Sequence, residues 1–122
     1  MDKRFSKIKQ LFAPIPEVDI HPSRGGKFRF PIYMTEALEN TNIEALDLEV
    51  RAINCLKRAG IHTIGDLCGR IRCSSDLNSI RNCGKTSIAE IMDKLFAYQY
   101  SVLSPEHRYE FLAKVIEMNV RI

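Results

Sequence analysis

The sequence predicts a mainly α-helical protein: a compact domain of four to five helices, preceded by a loop or β-hairpin-like N-terminal segment and followed by an extra C-terminal helix. Three observations carry this. Leu48, Ala52, Leu56 and Ala59 recur at helical spacing, and Val50 and Ile53 widen that stripe toward a core. Ile88, Ile91, Met92 and Leu95 repeat the pattern further on. Ser104-Pro105 is a cap residue followed by proline at a first helical position, and Tyr109, Leu112, Val115, Ile116 and Val120 follow it as an apolar face.

The elements follow in order. Thr35 can cap a short helix reaching Asn40. The first main helix is expected over residues 47–59, ended by Gly60. A second runs from about Thr63 to Arg70 with Ile64, Leu67 and Ile71 inward. Ser74 or Ser75 can cap a third, ending near Ile80. After a turn over residues 81–85, a fourth runs from Ser87 to about Gln99. Three segments result: an N-terminal extension over 1–42, the helical domain over 43–103, and the C-terminal helix over 104–122.

The extension is less regular. Met1 to Gln10 carries Lys3, Arg4, Lys7 and Lys9, with Phe5, Ile8, Leu11 and Phe12 at some helical periodicity. It reads as a loose tail, the usual state of a terminus that nothing ties down. A docking helix and a basic arm are the alternatives. Pro14, Pro16, Pro22, Gly25, Gly26 and Pro31 then punctuate loop or hairpin territory. Val18 and Ile20, and later Phe28, Phe30 and Ile32, alternate as short strands would. Arg24, Lys27 and Arg29 make a local basic patch, but the phenylalanines beside it are expected to pack on the helical domain.

Two short pieces carry the chemistry. Arg51, Asn54 and Cys55 stand three and four residues apart, so on a helix they share one face, offset from the core stripe. Arginine offers five fixed donors, and asparagine both donor and acceptor. That suits phosphate oxygens or a minor-groove edge. It equally describes a solvated helix face with a half-buried cysteine. In the second piece, Asn82-Cys83-Gly84-Lys85-Thr86-Ser87, Gly84 can take a positive φ or let another backbone come close. Thr86 or Ser87 can cap the helix that follows. Free N–H groups at such a start, with Lys85 alongside, suit an anion. An ordinary capped turn is the alternative. The P-loop pattern is not met, because Ser79 stands where its first glycine belongs.

The order of these runs adds to this. Residues 46–67, with V-R-x-x-N-C-L-K and I-H-x-I-G-D-L, followed by the N-x-G-K-x-S turn in residues 80–91, resemble the C-terminal domain of the bacterial RNA polymerase alpha subunit. The likeness covers roughly half the chain, from about Ile43 to Tyr98. It implies a compact helical domain with a helix-hairpin-helix-like element. It also implies binding to double-stranded DNA across an A/T-rich minor groove, and contacts with RNA polymerase, sigma factor or transcription activators. Carried over by residue, it implies that Arg51 enters the groove, with Asn54 and Cys55 beside it on the backbone. Gly84, Lys85, Thr86 and Ser87 would meet phosphate, with Glu90 nearby. Thr86 departs from the family, which usually has a second basic residue there, so one charge is missing from the turn. The alpha subunit's large assembly domain has no counterpart in these 122 residues, and the expectation is a small stand-alone protein.

Composition bounds the alternatives. A net charge of +3 is mild, so any attraction to DNA must come from a local patch at Arg51, Lys57, Arg58 and Lys85. Cys55, Cys68, Cys73 and Cys83 have neither C-x-x-C spacing nor a histidine at zinc-finger distance, so no metal and no cofactor is expected. They read as reduced thiols of a cytoplasmic protein, because residues 1–10 lack the apolar run of a secretory signal and nothing approaches a membrane span. His62 reads as a structural hydrogen-bonding residue. With no paired carboxylates, activated nucleophile or cofactor fingerprint, an enzyme is not expected. The runner-up function is a protein-interaction adaptor that keeps the fold without binding DNA.

Overall fold

The structure, a computed structural model, describes residues 6–15, 29–71, 80 and 83–119. Six α-helices lie among them: α1 (Ser6–Phe12), α2 (Glu36–Glu39), α3 (Val50–Arg58), α4 (Ile64–Arg70), α5 (Lys85–Val102) and α6 (Pro105–Asn119). A 3-10 turn over Ile43–Leu46 precedes α3. No strand occurs among the described residues; the sheet-like feature there is an isolated antiparallel bridge between Asn42 and Thr63. The expected mainly helical class is therefore what forms.

Local signals set several helix ends. Thr35 Oγ1 accepts the Leu38 N–H at 3.1 Å, so the expected cap of α2 is in place. Asn42 caps the 3-10 turn, and Asp47 ends it in the left-handed region at φ 55°. That left-handed residue is why α3 starts at Val50 rather than at 47: helical φ/ψ cannot run through it. Gly60, at φ +79°, closes α3. Its N–H donates to the Lys57 carbonyl, and Ile61 N–H reaches back to Leu56, the paired bonds of a Schellman end. Thr63 opens α4 with a capping box: Asp66 N–H donates to Thr63 Oγ1, and Thr63 N–H donates to the Asp66 carboxylate. The His62 N–H donates to that carboxylate too, and these backbone donors, His62 first, hold the Asp66 carboxyl below its ordinary value. His62 is thus structural through its backbone, since its carbonyl also accepts from Ile43.

The helices pack around α5. Ile88, Ala89, Ile91, Met92, Leu95 and Phe96 are all buried on it, joined by Ala52 and Leu56 from α3, and Ile64 and Leu67 from α4. Gly65 lies against α2; a Cβ built there would stand 2.5 Å from Glu39 Cγ and 2.7 Å from its backbone oxygen, so only glycine permits this approach. Further surface of α5 is covered by α1, residues 29–34 and α6. Phe96 meets the rings of Phe12, Phe30 and Phe111 at 5.9, 5.1 and 5.2 Å between centroids. One core thus takes residues from all three expected segments.

Several expectations need correcting. The described part of the N-terminal stretch, residues 6–12, is a docked helix rather than a tail. Ile8 and Phe12 are buried, and Asp93 of α5, itself buried, accepts the N–H groups of Ile8 at 2.8 Å and Lys7 at 3.1 Å. A carboxylate supplied from a distant helix thus caps α1. Residues 29–34 do not form the second strand of a hairpin. Their backbone is held by side chains instead: Asn119 brackets Arg29, and Gln99 Oε1 accepts the Tyr33 N–H. Phe30 packs on the helical domain as expected. Val50, counted into the core stripe, is 74% exposed, and Tyr109, counted into the last apolar face, is 79% exposed. The last helix buries Phe111, Leu112 and Val115. The expected first strand, the Arg24–Lys27 patch, the helix before Ile80, Cys73 and Val120 lie outside the described residues.

Replacing Asp93 with alanine removes the acceptor for two N–H groups of α1. The variant Asp93→Ala is expected to lose about 1–2 kcal/mol in denaturant unfolding. Amide exchange at Lys7 and Ile8 should speed up more than in α5, with Asp93→Asn intermediate. Unchanged exchange at those two amides would show that the capping does not hold α1.

Candidate nucleic-acid interface

Helix α3 buries Ala52, Cys55 and Leu56, and its other side, with Arg51 and Asn54, is exposed. The trio expected on one face therefore divides. Arg51 and Asn54 face solvent, whereas Cys55 is only 2% exposed and its sulfur turns inward. There it neighbours Cys83, close enough for the two thiols to interact. Cys83 sits immediately before α5, so this contact ties the second turn of α3 to the lead-in of α5. At the other end of α3, Glu49 N–H donates to Glu90 Oε2 at 2.6 Å. Residues 49 and 55 thus lie beside 90 and 83 respectively, and the helices pair in opposite senses. Arg51 and Asn54 fall between these anchors, alongside the first turn of α5.

That first turn has no side-chain cap among the described residues. Gly84 occupies the cap position, and the helix start receives no hydrogen bond from a capping side group. Thr86 and Ser87, expected as caps, lie inside as the second and third helical residues, because the helix begins at Lys85. Ser87 is buried, only 5% exposed, whereas Gly84, Lys85 and Thr86 are exposed. Gly84 has an ordinary φ of −73°, so the left-handed option is not used. A Cβ built on it would meet nothing within 4 Å. Its lack of a side chain serves no internal contact and leaves open space over the helix start. The first N–H groups of an α-helix have no partners within it, and the dipole of an eighteen-residue helix places positive potential there.

The charges are sparse but local. Arg51 and Lys85 form no ion pair among the described residues. Lys57, counted in the basic patch, pairs with Glu44 at 3.2 Å and contributes less free charge than expected. No acidic residue lies in the first turn of α3 or α5. Glu90 is committed to Glu49 and does not project freely toward the surface. Among the described residues, no group of three or more histidine, cysteine or acidic side chains could hold a metal ion, and no helix is long and apolar enough to cross a membrane. The Cys83 and Glu90 contacts were not legible in the sequence, since each joins residues far apart along the chain.

The fold and this face define a small helical module with an exposed Arg–Asn pair beside an uncapped helix start. Residues 34–97, just over half of the total length, match the family described as the C-terminal domain of the bacterial RNA polymerase alpha chain, and the protein belongs to that family. Among similar proteins, the DNA-directed RNA polymerase subunit alpha of Frankia alni is 56% identical over 93 residues, covering 76% of this chain and 24% of that protein. That of Borreliella afzelii is 31% identical over 118 residues, covering 96% and 33%. That of Carboxydothermus hydrogenoformans is 44% identical over 71 residues, covering 58% and 22%. The chain thus spans a fifth to a third of the length of these curated relatives. No solved structure matches it significantly.

Burial first, and then the neighbouring Cys55, push the Cys83 thiol up to about 12. At neutral pH it stays protonated, and the thiol is the unreactive form. Iodoacetamide at pH 7.5 is expected to label Cys83 at least tenfold more slowly than a free thiol of pKa about 8.5, as read by peptide mass spectrometry. Labelling at the free-thiol rate would mean that the α3–α5 junction is open in solution.

Proposed function

We propose that this protein is a transcription-associated DNA-binding module. It lays the exposed side of α3 and the start of α5 against an A/T-rich duplex. Arg51 enters the minor groove, where a narrow A-tract concentrates negative potential. Asn54 bonds the backbone beside it. The N–H groups at the start of α5, with Lys85 and the Thr86 hydroxyl, take a phosphate across the groove. Gly84 lets the phosphate come close. Cys55 and Ser87 support this face from beneath rather than touching DNA through exposed side chains. The observation that carries the reading is the pairing of α3 and α5, which sets Arg51 and Asn54 beside an uncapped helix start.

The role is binding rather than catalysis. As part of, or beside, a transcription complex in the bacterial cytoplasm, the module would also meet RNA polymerase, sigma factor or activators. The adaptor reading draws on two observations: Lys57 is neutralised by Glu44, and position 86 is an uncharged threonine. Both lower the pull on DNA without touching the fold.

Titration of an A-tract duplex and a G/C-rich duplex into the protein at low salt separates the two. The A-tract is expected to bind more tightly, and Arg51→Ala to cost about 1–3 kcal/mol of that binding. With three or four phosphates neutralised, log affinity should fall against log salt with a slope of about −3. Binding that ignores both Arg51 and salt would sink the minor-groove model. Absence of binding to either duplex would leave the adaptor.

A further inference from the structure

Helix α3 starts without a cap of its own. Glu49, at the cap position, makes no side-chain bond to the first turn. In a capping box the third helical residue reaches back to the cap residue's N–H, but here that residue is Ala52, which has no acceptor. The N–H is satisfied all the same. It donates to Glu90 Oε2, 41 residues further along the chain, at 2.6 Å. Glu90 does from α5 what a local glutamate does in a capping box. Its carboxylate also stands at the positive end of α3, where a negative charge is favourable.

We infer that Glu90 is a positioning residue of the DNA-binding face: by holding Glu49 N–H it fixes the first turn of α3 and so sets the direction of Arg51. This rests on the reading of the site as a DNA-binding face. Besides the buried Ala52 and Leu56, two polar contacts tie α3 to α5, the Glu90 bond at residue 49 and the thiol contact at residue 55, about 9 Å apart along the helix axis. Arg51 lies between them and nearer the first. Without the Glu90 bond the Glu49 N–H loses its acceptor, and the start of α3 before the buried Ala52 loosens, because its N–H groups have no partner inside the helix. An arginine on a frayed turn must be ordered when it enters a groove, and that ordering weakens binding.

A direct contact between Glu90 and DNA predicts the opposite sign. An ionised carboxylate only accepts hydrogen bonds, and so do phosphate oxygens, so the two repel. If Glu90 faced phosphate, removing its charge would tighten binding. If it positions Arg51, removing its acceptor loosens binding, and an uncharged acceptor of the same shape restores it.

The test is an A-tract duplex titrated into the whole protein, its variants Glu90→Gln, Glu90→Ala and Arg51→Ala, and the double variant. Glu90→Ala is expected to weaken binding about tenfold, the fold-change that the loss of a helix cap corresponds to. Glu90→Gln should stay within about threefold of the unaltered protein, since it keeps the acceptor. In the Arg51→Ala background, Glu90→Ala should cost less than about twofold, because the residue acts through Arg51. Amide exchange at Glu49 should quicken in Glu90→Ala and not in Glu90→Gln. Tighter binding by either Glu90 variant, or the same loss with and without Arg51, overturns the positioning role and leaves the DNA-binding reading standing. No duplex binding by the unaltered protein overturns both.

Discussion

An eighteen-residue helix buried on nearly every side is the constraint on which this structure depends. Helix α5 carries buried residues throughout its length, from Ser87 to Gln99. A domain of a few short helices cannot cover it all. Helix α3 and the 3-10 turn take its N-terminal half, while α1, residues 29–34 and α6 take the rest, meeting at Phe96. The polar groups drawn in with this coverage bond to backbone. Asp93 caps α1, Gln99 holds Tyr33, and Asn119 brackets Arg29. A buried donor or acceptor without a partner costs about 1–3 kcal/mol, so the bonds from Asp93 and Gln99 Oε1 help fix where α1 and residues 29–34 lie, although Gln99 Nε2 is buried without a partner among the described residues.

The same helix creates the candidate site. Because α5 is anchored along its length, its first turn is held at the surface with its N–H groups outward, and α3 is fastened to it at two points. The face is therefore a product of two contacts distant in sequence, Cys55 with Cys83 and Glu49 with Glu90, rather than of any single run of residues. Its charge is small. If Arg51 enters a minor groove as proposed, so small a charge favours recognition by shape and groove width over strong nonspecific attraction to phosphate.

Much of the fold was legible because it is written locally. Thr35, Gly60 and Ser104-Pro105 act within three or four residues of themselves, and the elements they bound formed where their chemistry placed them. Periodicity identified the helices but not what would cover them. Val50 and Tyr109 fit apolar stripes and stay exposed, because no described element packs over those positions. Helix α1 was hidden for the converse reason: its cap, Asp93, lies 85 residues from Ile8. For the candidate site, helical spacing gave the shared face of Arg51 and Asn54 and the turn gave a helix start after Gly84, while their assignment to DNA came from the family resemblance. The inward turn of Cys55 and the commitment of Glu90 depend on partners that only tertiary structure supplies.

The most direct measurement is residue-by-residue mapping of the bound face. Isotope-labelled protein is titrated with an A-tract duplex while backbone and arginine side-chain resonances are followed. The largest shifts are expected on Arg51, Asn54 and residues 84–87, with α1 and α6 nearly unmoved. Shifts concentrated on α6 or the residue 29–34 segment, with Arg51 unmoved, would contradict the proposed DNA-binding face.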